Sequence, residues 1–305
     1  MFLSVFSQVA ILFLLMGLGT VLTKAKVLNE ACVKGMTDIV VLAVTPCVII
    51  KSFIREFDPS VLRRLLISSL IALLAHILFI LLSCAFFHDK DKARQNVLRL
   101  GAIFSNCGFM SLPLQQVLLG DEGVFYASSF IVIYNALVWS YGVIVISGDK
   151  KFFSLKKIVL SPGILSLLIG LVIFFTSLPV PGIVTQTITY ITAINTPLPM
   201  IMIGYHMANS NILKGFTDLK CMLAVISRLV IFPLLVLGLM YFAGIRDTMF
   251  ISIVISCCAP VGAMTTMLSL KYDSDTNLSA NMVSISTLLS IITMPVVVTL
   301  AKAIS

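Results

Sequence analysis

Runs of about twenty mainly apolar residues recur from one end of the chain to the other, with only a few polar residues between each run and the next. A run of that length crosses the roughly 30 Å hydrocarbon core of a bilayer as one helix. Ten such runs can be marked, over 4–22, 36–54, 64–87, 96–117, 124–147, 158–176, 183–207, 219–243, 249–269 and 277–301. In hydrocarbon every backbone N–H and C=O must find its partner inside the protein, so this pattern predicts an all-α polytopic membrane protein with ten transmembrane helices. Only 11% of the 305 residues are charged and 59% are apolar, which leaves too little polar surface for a soluble fold. The 7 cysteines form no Cys-x-x-Cys pair and mostly sit inside apolar runs, where a reduced thiol behaves as a small hydrophobe, so a disulfide scaffold is excluded as well. No basic residue precedes the first run, since Lys24 and Lys26 follow it, and it therefore reads as a retained helix rather than a cleaved leader.

The net charge of +8 does not point to nucleic acid, because the basic residues fall in short loops and are not interleaved with aromatics along a groove. Their distribution is that of topology determinants. Lys24, Lys26, Lys34, Lys90, Lys92, Arg94, Arg99, Lys150, Lys151, Lys156, Lys157, Lys214, Lys220 and Lys271 fall on one side of the membrane. Lys51, Arg55, Arg63, Arg64, Arg246 and Lys302 fall on the other. This bias predicts a multi-pass protein of the cell (plasma or inner) membrane, with both termini outside and the loop at 148–157 cytoplasmic.

Laid over each other at an offset of about 151 to 154 residues, the two halves bring matching features together. Thr45-Pro46 meets Thr196-Pro197, Asn106-Cys107-Gly108 meets Pro260-Val261-Gly262, and His76 meets the neighbourhood of Arg228. Each half then holds five spans. Five is odd, so the halves enter the membrane in opposite directions and form two inverted five-helix repeats, 1–147 and 158–305, joined by the short linker 148–157. Many secondary transporters are built this way, with the site near the midplane and formed by interrupted helices.

The interruptions are visible. The fourth run contains Gly108 and Pro113 within Ser105-Asn106-Cys107-Gly108-Phe109-Met110-Ser111-Leu112-Pro113, and the ninth contains Ala259-Pro260-Val261-Gly262. Glycine weakens a helix by about 1 kcal/mol relative to alanine, and proline removes a backbone donor and crowds the carbonyl four residues back. Backbone groups freed at membrane depth are tolerated where they line a cavity, and a half-helix N-terminus there carries partial positive charge that suits an anion.

On these residues the chain resembles the auxin efflux carrier family of bacterial and plant permeases. The likeness is carried by Ser105-Asn106-Cys107-Gly108-Phe109 with Leu112-Pro113, by Ala259-Pro260-Val261-Gly262 followed by Leu270-Lys271-Tyr272-Asp273, and by Ser286-Thr287-Leu288-Leu289-Ser290 with Met294-Pro295. The resemblance covers the whole chain and implies that helices 1, 2, 6 and 7 form a scaffold. Helices 3–5 and 8–10 would form a moving transport domain, with 4 and 9 crossing as broken helices. It further implies transport of small organic anions, often carboxylates such as malonate or malate, and a homodimer. Plant members carry a long loop between the halves that this chain lacks.

Candidate substrate-binding residues are Ser105 and Asn106 beside the first break, Asn135 near the middle of the fifth run, and Arg228 in the eighth. An amide offers donors and an acceptor where backbone polarity is already exposed. Asn135 has two readings, a cavity-facing amide or interhelical glue. Arg228 also has two, a countercharge to an anion or a side chain snorkelling toward the cytoplasmic face. Cys107, Gly108, Pro113, Pro260, Val261 and Gly262 shape the crossover through their backbone. His76 is either a proton or polar relay or a hydrogen-bonded neutral core histidine.

The span interiors hold almost no Asp or Glu, which favours facilitated transport, or coupling to Na+ or H+ through neutral oxygens and backbone carbonyls. No cofactor or metal is expected, since His76, His88 and His206 lie on different segments and no His-Glu-x-x-His occurs. An intramembrane aspartyl protease would need two membrane-embedded aspartates, and Gly120-Asp121 and Tyr272-Asp273 fall at span ends, while the single asymmetric polar cluster is not the ring of like groups that a channel presents. The expected partners are a small organic anion, with another amphipathic or neutral solute as the alternative cargo, and membrane lipid.

Overall fold

A computed structural model describes residues 2–149, 151, 155–209 and 215–305. Lys150, Lys214 and residues 152–154 of the expected linker lie outside the described residues. The described chain is helical throughout: α1 (Phe2–Lys24), α2 (Glu30–Ser52), α3 (Pro59–Phe86), α4 (Lys92–Ile103), α5 (107–119), α6 (121–147), α7 (Leu155–Val159) and α8 (Pro162–Thr176). It continues with α9 (Gly182–Ala193), α10 (Pro197–Ala208), α11 (Leu219–Phe242), α12 (Thr248–Cys258), α13 (Met264–Lys271) and α14 (Thr276–Ile304). Gly120, with φ 66° and ψ −156°, divides α5 from α6. Five stretches are long and apolar enough to cross a bilayer by themselves: α2, α3, the joined Cys107–Ser147, α11 and α14. Val9–Lys24, α8 and α12 are shorter apolar helices.

The scarce acidic residues are used at helix starts. The carboxylates of Asp58, Asp91, Asp218, Asp247 and Asp275 accept backbone N–H groups at the beginnings of α3, α4, α11, α12 and α14, and Asn29 does the same for α2. Each satisfies a donor that the helix cannot, which explains why acids punctuate the apolar runs without entering them. Three prolines inside the long helices follow wide turns, while Pro295 lies in regular α-helix within α14. Val40–Val44 adopts π geometry just ahead of Pro46, Cys107–Ser111 just ahead of Pro113, and Ser227–Ile231 just ahead of Pro233. A π turn relieves the crowding of a proline ring against the carbonyl one turn back.

Side-chain distribution on α3 is the reverse of that on a helix in water. Leu66, Leu70, Leu74, Ile77 and Leu81 are exposed, while Ser68, Ala72, His76, Phe79 and Ser83 are buried. An apolar outer face with a polar and small-residue inner face is what a lipid surround selects, and the chain is a multi-pass membrane protein.

Two close helix pairings frame the bundle. α1 packs on α10, where Gly19 lies against the Ile201 backbone and Gly204 against the Met16 backbone, and Thr20 Oγ1 donates to Gly204 O at 3.1 Å. A Cβ on either glycine would overlap that backbone, so the contact requires glycine at both places. The C-terminal part of α2 packs on α8, with Phe53 just beyond it covering Gly170. At one end of the bundle, Asp89 accepts from Lys220 Nζ at 2.9 Å and Arg94 Nε at 3.2 Å, and Arg94 also pairs with Asp218. The Lys220 ammonium, with the Asp91 N–H, holds the Asp89 carboxyl at about 2, below the usual 3.8.

Candidate functional site

The two expected interruptions are present, and they meet. α4 ends at Ile103, and Phe104 (φ −98°, ψ 110°) and Asn106 (φ −79°, ψ 53°) leave the helical path before the chain re-enters a helix at Cys107. α12 ends at Cys258 and Ala259 (φ −63°, ψ 146°) turns out before α13 starts at Met264. The extended pieces lie antiparallel, with Ser105 opposite Val261. Asn106 N–H donates to Pro260 O at 2.7 Å, and Gly262 N–H donates to Phe104 O at 2.9 Å. Val261 N–H donates to Ser286 Oγ of α14 at 3.0 Å. These bonds answer what each break leaves open: the peptide groups freed from one helix are satisfied by the other.

The first break falls about one turn before Gly108, which itself sits in the helical turn Cys107–Ser111 with nothing within 4 Å of where a Cβ would be. Pro113 follows closely on that wide turn, which accommodates its ring and missing N–H within the continuing helix. Gly262 is different. A Cβ there would lie 2.9 Å from Ser105 O, 3.1 Å from Tyr134 Oη and 3.2 Å from Phe104 O.

Polar atoms without partners gather at the crossover. The Asn106 amide nitrogen, Ser105 Oγ, Thr287 Oγ1 and Arg228 Nε are buried and have no hydrogen-bond partner among the described residues. Ser105 is 1% exposed and Asn106 5%. A buried unpaired donor costs about 1–3 kcal/mol, which makes the cluster of them here the candidate place for a ligand.

Arg228 is fully buried within the π turn of α11. Its Nη1 donates to Ile103 O at 2.7 Å and to Ala102 O at 3.3 Å, and its Nη2 donates to Cys257 O. The guanidinium also lies over the Phe79 ring, 5.0 Å from its centroid. It does not snorkel. His76, likewise fully buried, has Nδ1 2.7 Å from Ala72 O of its own helix and Nε2 without a partner among the described residues. Phe130, Phe79, Phe104 and Tyr134 surround its ring at centroid distances of 4.7 to 6.4 Å. Asn135 is half-buried; its amide donates to Ile131 O at 3.0 Å on its own helix and lies against Gly163 of α8.

The structure therefore brings Ser105, Asn106, Val261, Gly262 and Arg228 together, and directs Asn135 to a different helix contact. Three participants carry no individual assignment in the sequence reading. Tyr134 packs edge-on against Phe104, with ring centroids 5.6 Å apart, and borders Gly262. Ser286, named only within a motif, places its hydroxyl at the crossing, and its neighbour Thr287 carries a buried hydroxyl without a partner among the described residues. Beside the crossing, Gln115 ties α5 to α12: it donates to Ser111 Oγ at 2.7 Å and Ser256 Oγ at 2.9 Å and accepts from Ser252 Oγ at 2.6 Å, all fully buried. A buried glutamine in an apolar run is the signal that could have found it.

Comparison with known proteins gives the following. The family described as membrane transport protein matches residues 4–153 and 149–298. A protein named as an uncharacterized transporter from Methanothermobacter thermautotrophicus is 24% identical over 282 residues, which is 91% of this chain and 92% of that protein. Another from Methanocaldococcus jannaschii is 21% identical over 276 residues, 87% of this chain and 89% of that protein.

Proposed function

The chain belongs to the membrane transport protein family, the auxin efflux carrier family that its motifs resemble, and from that premise we propose that it is a secondary transporter of a small organic anion. The cargo is a carboxylate of the malonate or malate class, carried by alternating access at the crossing of the two broken helices. One observation carries this reading: beside the paired backbones of Ser105 and Val261 lies a buried Asn106 amide donor without a partner among the described residues. Donors seek acceptors, and a carboxylate supplies two acceptor oxygens. The N-terminal ends of α5 and α13 at the same place add partial positive charge.

The chain is then ten spans in two inverted repeats, 1–147 and 158–305, around the 148–157 linker. α4 with α5 forms the fourth span, α9 with α10 the seventh, and α12 with α13 the ninth. The helix pairings support this arrangement. Exchanging the halves turns the first span against the seventh (α1 on α10) into the sixth against the second (α8 on α2), and both contacts are made. Spans 1, 2, 6 and 7 are the scaffold, and spans 3–5 and 8–10 the moving domain. Both termini face away from the cytoplasm in a cell membrane, and the protein works as a homodimer with Na+, H+ or no coupling ion.

Uptake of labelled malonate and malate into proteoliposomes, with and without sodium and pH gradients, tests the reading. Saturable uptake by the wild type, abolished in a folded Asn106→Ala variant, is expected. Unchanged uptake in Asn106→Ala overturns the site. A folded wild type that moves neither compound overturns the malonate and malate class.

A further inference from the structure

Four half-helix ends meet at the crossover, and the structure treats the two kinds differently. α4 and α12 bring their C-termini, where the last carbonyls have no partner within their own helix. Each such end carries about −0.5 of an elementary charge, so two together amount to about −1. One cation meets both. The Arg228 fork reaches Ile103 O and Ala102 O on α4 with Nη1, and Cys257 O on α12 with Nη2, from a fully buried position on a third helix. The flat guanidinium, backed by the Phe79 ring, holds two separate helix ends at once in a way a single ammonium point cannot.

Among the described residues, only one half of the molecule supplies this contact. His76, which falls near the corresponding place in the other half, bonds to Ala72 O of its own helix instead. Among the described residues, a single positive charge therefore faces two negative ends. The N-terminal ends of α5 and α13 keep their partial positive charge, and the unpartnered Asn106 donor and Ser105 hydroxyl lie beside them.

We propose that Arg228 is a positioning residue: its guanidinium clasps the C-terminal ends of both broken helices and cancels their charge, so that an anion at the crossover meets only positive helix ends. The clasp stands on the carbonyl contacts alone, while the consequence for an anion rests on the transport reading above.

Two measurements on the full-length protein test it. The first is amide hydrogen exchange of the substrate-free chain in detergent. Arg228→Met should speed exchange at Asn106 and Gly262, whose N–H groups hold the crossing, at least tenfold, with no change across the middle of α3. The second is the ratio of affinities for a monocarboxylate, propionate, and its neutral amide, propionamide. Arg228→Met should reduce that ratio at least tenfold while propionamide affinity stays within twofold; a purely structural role would weaken both alike. Arg228→Lys, which keeps the charge without the fork, covers the case in which the methionine variant does not fold. It should speed exchange at the crossing yet keep the ratio within threefold of the wild type. Unchanged exchange in both variants overturns the clasp, and equal loss of both ligands overturns the charge role. A wild type with no preference for propionate over propionamide overturns the charge role, and the exchange measurement then decides the clasp separately.

Discussion

Gly262→Ala places one methyl group where the two broken helices touch. Its Cβ would lie 2.9 Å from Ser105 O, and ordinary contact begins at 3.4 Å, so the strands must part by about half an ångström. The neighbouring atoms are backbone oxygens and a tyrosine hydroxyl, not the flexible end of a side chain, so little of this can be absorbed locally. The same movement stretches the Gly262 N–H bond to Phe104 O from its 2.9 Å. A buried donor left unmet costs about 1–3 kcal/mol, a factor of roughly 5 to 150 in the folded population. At about 2 °C per kcal/mol for a chain of this size, the melting temperature should fall by about 2–6 °C. The matched control is Gly108→Ala, where nothing lies within 4 Å of the added carbon and the helical turn should gain up to about 1 kcal/mol. Thermal unfolding in detergent, followed by the fluorescence of the single tryptophan, Trp139, reads both variants, and proteoliposome uptake should be lost in Gly262→Ala. If Gly262→Ala melts and transports like the wild type, or Gly108→Ala falls as far, the steric argument for the crossing is wrong.

The ion-paired loop makes a pH prediction. Asp89 is held at about 2 in the folded chain against 3.8 ordinarily, so its contribution is complete above the higher value and disappears as pH falls through the lower. Asp89→Asn should therefore lower the melting temperature by a constant amount from pH 5 to pH 8. Between about pH 4 and pH 2 the difference from the wild type should close, and a gap that widens on acidification would contradict the assignment. Gln115→Leu removes the group that joins the hydroxyls of Ser111, Ser252 and Ser256, and should cost about 1–3 kcal/mol in thermal unfolding. A leucine variant as stable as the wild type would show that the network adds nothing beyond packing.

The apolar runs were legible because lipid imposes a simple rule on the backbone, and several of the described helices start within a few residues of a run's start. Asp58, Asp91, Asp218, Asp247 and Asp275 mark several of those starts by capping, a local event written in adjacent residues. Pro260 and Gly262 likewise located the second interruption. The first one, at Phe104–Asn106, lies ahead of the Gly108 and Pro113 that signalled it. The π turn accommodates the proline downstream, and the break goes where the partner strand can satisfy freed peptides.

Sequence by itself determined the membrane environment, the helical class and the presence of two weak points, since these follow from hydrocarbon length, hydrogen-bond satisfaction and the local chemistry of proline and glycine. Tertiary structure decided what the polar residues in those helices do. Arg228, read from sequence as a countercharge or a snorkelling side chain, is held by carbonyls 125, 126 and 29 residues away, and Asn135 is turned toward Gly163. Tyr134 and Ser286 reach the crossing from α6 and α14. Whether a buried polar group meets a ligand or a carbonyl depends on which distant backbone is left unpaired beside it, and no local pattern encodes that.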